Sequence, residues 1–188
     1  FERINPNLKS EAEKEVKNAD FAINLIKNPK PFKPINVGPG INTENGEYFP
    51  AISADGKQFM FTRAIPRKDI VGAFNEDFYM SYREKNVWQQ AFPLTDINSY
   101  GNEGAPTLSA DGNIMFFASC SDEFGDYGGQ DRKGFGSCDI FYSQKINGRW
   151  SKPRNGGNLI NSKNWETQPS FSSDGKTLYF IKGYTGRG

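Results

Sequence analysis

Short apolar runs punctuate this chain, and each follows the same polar turn. Phe59-Met60-Phe61, Ile114-Met115-Phe116-Phe117 and Leu178-Tyr179-Phe180 come shortly after Asp55-Gly56, Asp111-Gly112 and Asp174-Gly175. Runs this short, rich in aromatics and bounded by turn residues, predict strands. Asp-Gly supplies the positive φ of a tight hairpin turn. Each turn in turn closes a longer phrase, Ile-Asn…Glu…Pro…Ser-x-Asp-Gly, which begins at Ile41, Ile97 and Ile160. The gaps within the phrase are constant, while the phrase itself recurs after 56 and then 63 residues. A fixed core with variable spacers marks a repeat protein whose insertions fall in loops.

Each repeat predicts four antiparallel strands. The first strands are Glu47–Ser53, Glu103–Ser109 and Glu166–Ser172, with the proline tolerated near the strand start, where no ladder N–H is needed. The apolar runs are the second strands. Asp77–Ser81 and Asp139–Ser143 are the third, and the fourth begin at Trp88 and Trp150. Four-stranded units repeated in tandem are the blades of an all-β propeller. The expected layout is a blade at 47–94, a blade at 103–155 and a half blade at 166–188. The stretch Lys33-Pro34-Ile35-Asn36-Val37-Gly38 matches Lys152-Pro153-Arg154-Asn155-Gly156-Gly157, so residues 32–38 are expected to form an orphan outer strand. Propellers close with about four to eight blades. About two and a half blades therefore predict a fragment of a longer ring, with open strand edges when isolated.

Residues 1–29 follow a different period. Ala12, Val16, Ala19, Ile23 and Ile26 share one helical stripe, widened by Phe21, Ala22 and Leu25. Ser10 and Glu13 have the spacing of a capping box, and Pro29 pushes Asn28 out of the α region. The pattern predicts one helix over Ser10–Lys27, whose broad apolar face suits the last helix of a helical array.

Composition narrows the chemistry. The chain of 188 residues has 16 Phe, 8 Tyr, 20 Gly and 11 Pro, a net charge of +1 and no histidine. Interspersed charges leave no footprint for nucleic acid or an anionic membrane, and no apolar run has the length to span a bilayer. Without histidine, Ser-His-Asp chemistry and His-ligated metals are excluded.

The phrase Pro-x-[Ile/Leu/Phe]-Ser-x-Asp-Gly, with an Asp-[Ile/Phe]-[Phe/Tyr] strand after it, resembles the TolB-like (WD-repeat-like) propellers. The helix ending Ala22-Ile23-Asn24-Leu25-Ile26-Lys27-Asn28-Pro29, the stretch Asn75-Glu76-Asp77-Phe78-Tyr79, and Cys120 with Gly136-Ser137-Cys138-Asp139-Ile140 narrow the likeness. Together they resemble Bacteroidota periplasmic lipoproteins that join a tetratricopeptide (TPR) domain, a propeller and an OmpA-like peptidoglycan-binding domain, the PorE-type family of the type IX secretion system. The resemblance implies a non-enzymatic scaffold at the outer membrane, in a secretion or gliding assembly, with envelope proteins as partners. Peptidoglycan would be reached only through a domain outside this sequence. Two alternatives are a propeller binding glycan or peptidoglycan fragments and the gating propeller of a TolB-like peptidase.

Several constellations have a structural and a functional reading. Cys120 ends a second strand and Cys138 opens the adjacent third, facing each other across the base of the Ser121–Ser137 loop. They are expected to form a disulfide, worth roughly 3 kcal/mol for a loop of this size, in an oxidising compartment such as the periplasm. Asp122, Glu123, Asp126 and Asp131 are oxygen donors of the kind calcium takes. Their order matches no EF-hand, and a solvated loop is the preferred reading; no metal or cofactor is expected. Glu47, Glu103 and Glu166 are read as caps of backbone N–H groups or partners of nearby cations, rather than a ring of acids around a channel. Trp88 and Trp150 are read as packing. Ser53, Ser109 and Ser172 are read as local side-chain-to-backbone bonders; their adjacent Asp-Gly departs from the sialidase Asp-box, where a residue separates the two. No catalytic residue is expected, because the repeated Ser, Asp and Glu lack the asymmetry of an active site. The repeats differ most at Arg63–Glu76 and Ser121–Ser137, so partner contacts are expected on that rim, from Arg63, Arg67, Lys68, Phe74, Phe124, Tyr127 and Arg132.

Overall fold

A computed structural model describes residues 6–129 and 132–183. The chain forms two compact units, Phe1–Asn36 and Val37–Gly188.

In the first unit a helix, α1, spans Pro6–Lys27. It starts four residues before the expected cap, so Ser10 lies inside it. Pro6 is compatible with this, because its fixed φ and missing N–H are tolerated in the first turn of a helix. At the other end Asn28 closes the helix, its N–H and side-chain amide both reaching Asn24. Val16, Phe21 and Ile26 are exposed. No helix among the described residues is long and apolar enough to cross a membrane.

The second unit is antiparallel β throughout its sheets. The first sheet holds β1 (Gly46–Ile52), β2 (Gln58–Pro66) and β3 (Phe74–Glu84), with two short outer pieces on β3, β4 (Val87–Trp88) and β5 (Phe92–Pro93). The second repeats it: β6 (Asn102–Leu108), β7 (Ile114–Cys120), β8 (Cys138–Ile146), and the pieces β9 (Arg149–Trp150) and β10 (Arg154–Asn155) on β8. A third begins with β11 (Glu166–Phe171) and β12 (Leu178–Lys182). These are consecutive propeller-type blades, with the inner strand β6 against β1 on one side and β11 on the other.

The expected single fourth strand is broken in two. In both blades a serine of the third strand interrupts the ladder: Ser81 Oγ donates to the Gln89 carbonyl and Ser143 Oγ to that of Ser151. The hydroxyl satisfies an oxygen the ladder leaves, so the outer strand kinks between its two pieces. The expected strand at 32–38 does not form; no β-ladder includes it, and Phe32 and Ile35 are exposed. The matching Arg154–Asn155 is a strand because β8 lies beside it.

Each inner strand carries one extra residue. Register slips between Tyr48 and Ala51, Gly104 and Thr107, and Thr167 and Ser170. Phe49, Ala105 and Gln168 all have φ of 51°. Pro50, Pro106 and Pro169 thus sit in the bulges, where a missing N–H leaves no ladder bond unmade. Three bulges bend the inner strands around a cavity of about 600 Å³, and no charged side chain lines it.

Face-to-face packing joins the blades. Met60, Phe78, Met80, Leu94, Ile97, Leu108, Met115, Phe117, Phe141 and Trp150 form one buried cluster across the first two, with Phe78 edge-on to Phe117 at 5.2 Å between centroids. Trp150 is core, as expected, while Trp88 packs on Phe59 at 5.2 Å.

Candidate functional site

The repeated phrase builds the same joint three times. Asn98 bonds the backbone of the preceding blade's third strand at Phe78 through both Oδ1 and Nδ2, and Asn161 does so at Ile140. Each side chain thereby continues a ladder where no strand follows. Directly after this asparagine, a hydroxyl residue meets the phrase's glutamate. Thr43, Ser99 and Ser162 each give their N–H and Oγ–H to the carboxylates of Glu47, Glu103 and Glu166. Each carboxylate also takes a cation: Arg63, Arg132 and Lys182. The glutamates are therefore caps and ion-pair partners, and none lines the central cavity.

The cations come from two places. Arg63 lies directly across the ladder from Glu47, and Lys182 directly across from Glu166. The residue across from Glu103 is Ser119, buried and with its Oγ unpartnered among the described residues. Arg132 fills that role from the β7–β8 loop. Like Arg63, which bonds the Ile41 carbonyl, it also bonds the equivalent carbonyl, that of Ile97. Burial pushes the Glu103 carboxyl above its ordinary value, with Ser99 and Arg132 acting against the shift without cancelling it. Burial works the same way on Glu166, but there Ser162 and Lys182 prevail and the carboxyl falls below its ordinary value.

The β7–β8 loop is anchored at three further points. Cys120 and Cys138 face each other in register and are disulfide-bonded. Tyr127 is buried, packs on Phe141 and donates to the Gly136 carbonyl and Asp139; burial, then the Asp139 charge, raises its phenol. Asp139 also accepts N–H bonds from Phe135 and Gly136 and one from the Asn155 amide. Asp122 folds the loop's acidic stretch on itself, accepting from the Phe124 and Asp126 N–H groups. Among the described residues no group of acids is placed to hold a metal; Gln130 and Asp131, part of the suggested calcium loop, lie outside them.

These positions correct the expected rim. Arg63, Tyr127 and Arg132 are buried and bonded inward through Arg63 Nε and Nη2, the Tyr127 hydroxyl, and Arg132 Nη1 and Nη2, with the Arg63 guanidinium also 4.1 Å from the Tyr79 ring centre. Arg67, Lys68, Phe74 and Phe124 are exposed. Arg67 pairs with Asp69, and Phe124 is 86% exposed at the loop tip. Ile70 and Val71, not singled out in the sequence, are exposed beside them. The two loops meet: Arg67 shares a pocket of about 360 Å³ with Asn75, Tyr100, Asn102, Ser121, Asp122 and Asp126. The signal for Tyr100 and Asn102 was present, because these two places in the phrase change between repeats, to Glu44 and Gly46, and to Lys163 and Trp165.

At the opposite end the turns behave as read. Ser53, Ser109 and Ser172 donate to Asp55, Asp111 and Asp174 and accept the N–H five residues on. Those hydroxyl bonds, then a backbone N–H, hold the three carboxyls below their ordinary value.

No protein-family model matches the chain, and no curated protein matches it. Among solved structures, TolB from Acinetobacter baumannii is similar at 19% identity with a TM-score of 0.46. The likeness covers 74% of this chain and 27% of that one, so the chain spans little more than a quarter of its length.

Proposed function

We propose that this chain is a non-enzymatic interaction module of the bacterial periplasm, part of a propeller that docks envelope proteins through its β2–β3 and β7–β8 loops. In this reading it belongs to an outer-membrane-associated scaffold of the PorE type, in a type IX secretion or gliding assembly, and α1 belongs to a TPR-like array. The observation that carries the docking role is the contrast within the loops. Arg132, Tyr127 and the disulfide fix the β7–β8 loop, and the ladder up to Pro66 and Phe74 fixes the base of the β2–β3 loop, while Val71, Phe74 and Phe124 stay exposed. Exposed apolar groups on a rigid support suit recognition, because little ordering entropy remains to be lost on binding. The disulfide supports the oxidising compartment. The repeated Ser, Asp and Glu are all engaged in equivalent structural bonds, which supports a role without catalysis.

The test is point substitution in the full-length protein. Replacing the whole β7–β8 loop would also remove Arg132 and Tyr127 and so confound binding with folding. Val71→Ser with Phe124→Ser should leave the melting temperature unchanged and reduce recovery of envelope proteins by affinity purification. Recovery of the same proteins at the same yield would overturn the docking role.

A further inference from the structure

We propose that the rim pocket between the first two blades binds a neutral pyranose sugar. This does not rest on the docking role above, since none of the exposed apolar residues Val71, Phe74 and Phe124 lines the pocket.

The pocket is built rather than incidental. Its wall is the β7–β8 loop lying on the link before β6, an approach that only glycine permits. A Cβ on Gly128 would stand 2.0 Å from Ser99 Oγ, one on Gly129 2.8 Å from the Tyr100 ring, and one on Gly101 3.2 Å from the Gly128 backbone. Gly128 and Gly129 also have φ of 89° and 72°, which side-chain-bearing residues rarely adopt. Tyr100 then donates to Asp126, whose other oxygen accepts the Gly129 N–H. Asn102 is held through its Oδ1 by the Glu76 N–H, and Asn75 through its amide by Asp77.

What these bonds leave over defines the ligand. Among the described residues Asn102 keeps its NH₂ donors, Asn75 its carbonyl acceptor, and Asp122 one carboxylate oxygen. Planar groups bearing both donors and acceptors thus line one pocket, a combination suited to vicinal hydroxyls, each of which both gives and takes a hydrogen bond. Tyr100, 65% exposed, offers an aromatic ring for the C–H face of a sugar. Asp122 and Asp126 face one guanidinium already paired with Asp69, so a phosphate or acidic sugar is disfavoured. The volume, about 360 Å³, falls in the range of small-ligand sites. Tyr100 and Asn102 occupy places where the other two repeats carry Glu44 and Gly46, and Lys163 and Trp165, so the same pair is not presented there.

The experiment is an amide-shift titration of the ¹⁵N-labelled full-length protein with three arms: free glucose and N-acetylglucosamine, a β-linked N-acetylglucosamine oligomer, and glucuronate. Saturable shifts at Gly101, Asn102, Ser121 and Asp122 are expected with neutral sugars at about millimolar concentration, and none with glucuronate. Tighter binding of the oligomer than of free sugars identifies a polysaccharide end as the source, and equal binding a free sugar. Tyr100→Ala and Asn102→Ala should each weaken binding about tenfold or more, with Tyr100→Phe keeping part of it. No saturable shift with any neutral sugar would overturn the proposal. So would binding unaffected by both alanine variants, or saturable shifts produced by glucuronate and by no neutral sugar.

Discussion

The first two blades hold the same glutamate at the same joint and supply its cation by different routes. In the first, Arg63 sits across the ladder from Glu47, and the hairpin runs on to Pro66 and Phe74 before turning. In the second, the facing residue is Ser119, the hairpin stops at the Cys120–Cys138 bond, and a long loop returns Arg132 to Glu103. The carbonyl bonded by the guanidinium is equivalent in both, Ile41 and Ile97. A buried carboxylate needs a paired positive charge, and the fold meets that need from whichever segment carries one. The second route ties the loop to the core and makes its inner half structural.

Breaking the pair in either blade should have the largest effect. Arg132→Ala leaves the Glu103 carboxylate buried without its cation, which costs about 3–5 kcal/mol; Arg63→Ala should act similarly at Glu47. Arg67→Ala, on the same rim but exposed and paired only with Asp69, should leave stability nearly unchanged, because solvent screens an exposed pair. Denaturant unfolding of the three variants checks the order. If Arg132→Ala matched Arg67→Ala, the loop would not brace the second blade.

Next in size is the disulfide, which only the second blade has. Cys120→Ser with Cys138→Ser should lower stability by roughly 3 kcal/mol and leave the first blade's hydrogen-exchange protection intact.

A smaller effect separates the glutamates by pH. The Glu103 carboxyl, raised by burial, should take up its proton above the ordinary value of 4.5, and Glu166, held down by Ser162 and Lys182, below it. The linkage signs are opposite. Glu166 contributes stability that is present above 4.5 and lost as pH falls through its lowered value. Glu103 favours the folded state most below 4.5 and loses that contribution as pH rises through its raised value. Carboxyl ¹³C shifts against pH read both, and titration in the reverse order would contradict the account.

The smallest effect lies in the turns, which all repeats share. Ser109→Ala removes the hydroxyl hydrogen bond that does most to hold the Asp111 carboxyl down. Its pKa should rise toward the ordinary value, with a change in the protein's stability of about 1 kcal/mol or less.

The features legible in the sequence were the local ones. Asp-Gly turns, the strands on either side and the cysteine register all follow from residues a few places apart, or from a hairpin whose two strands are visible. The bulges were not legible, because Phe49, Ala105 and Gln168 share a conformation without sharing a side chain. The segment 32–38 pairs with no described strand, because a sequence match records what a segment can pair with, and not whether the partner strand lies beside it. At the site, exposure of the rim was only half legible. Arg132 is 29 residues from Glu103, and nothing in the spacing of an acidic, glycine-rich loop shows that its arginine and tyrosine turn inward. The clue was Ser119, a polar residue standing where the other repeats place Arg63 and Lys182.

That substitution also gives the most direct test. Ser119→Arg in an Arg132→Ala background moves the second blade's cation to the place the first blade uses. Chemical denaturation of the single and double variants is predicted to show that Ser119→Arg recovers more than half of the stability lost in Arg132→Ala. A double variant no more stable than Arg132→Ala alone would contradict the equivalence of the two routes.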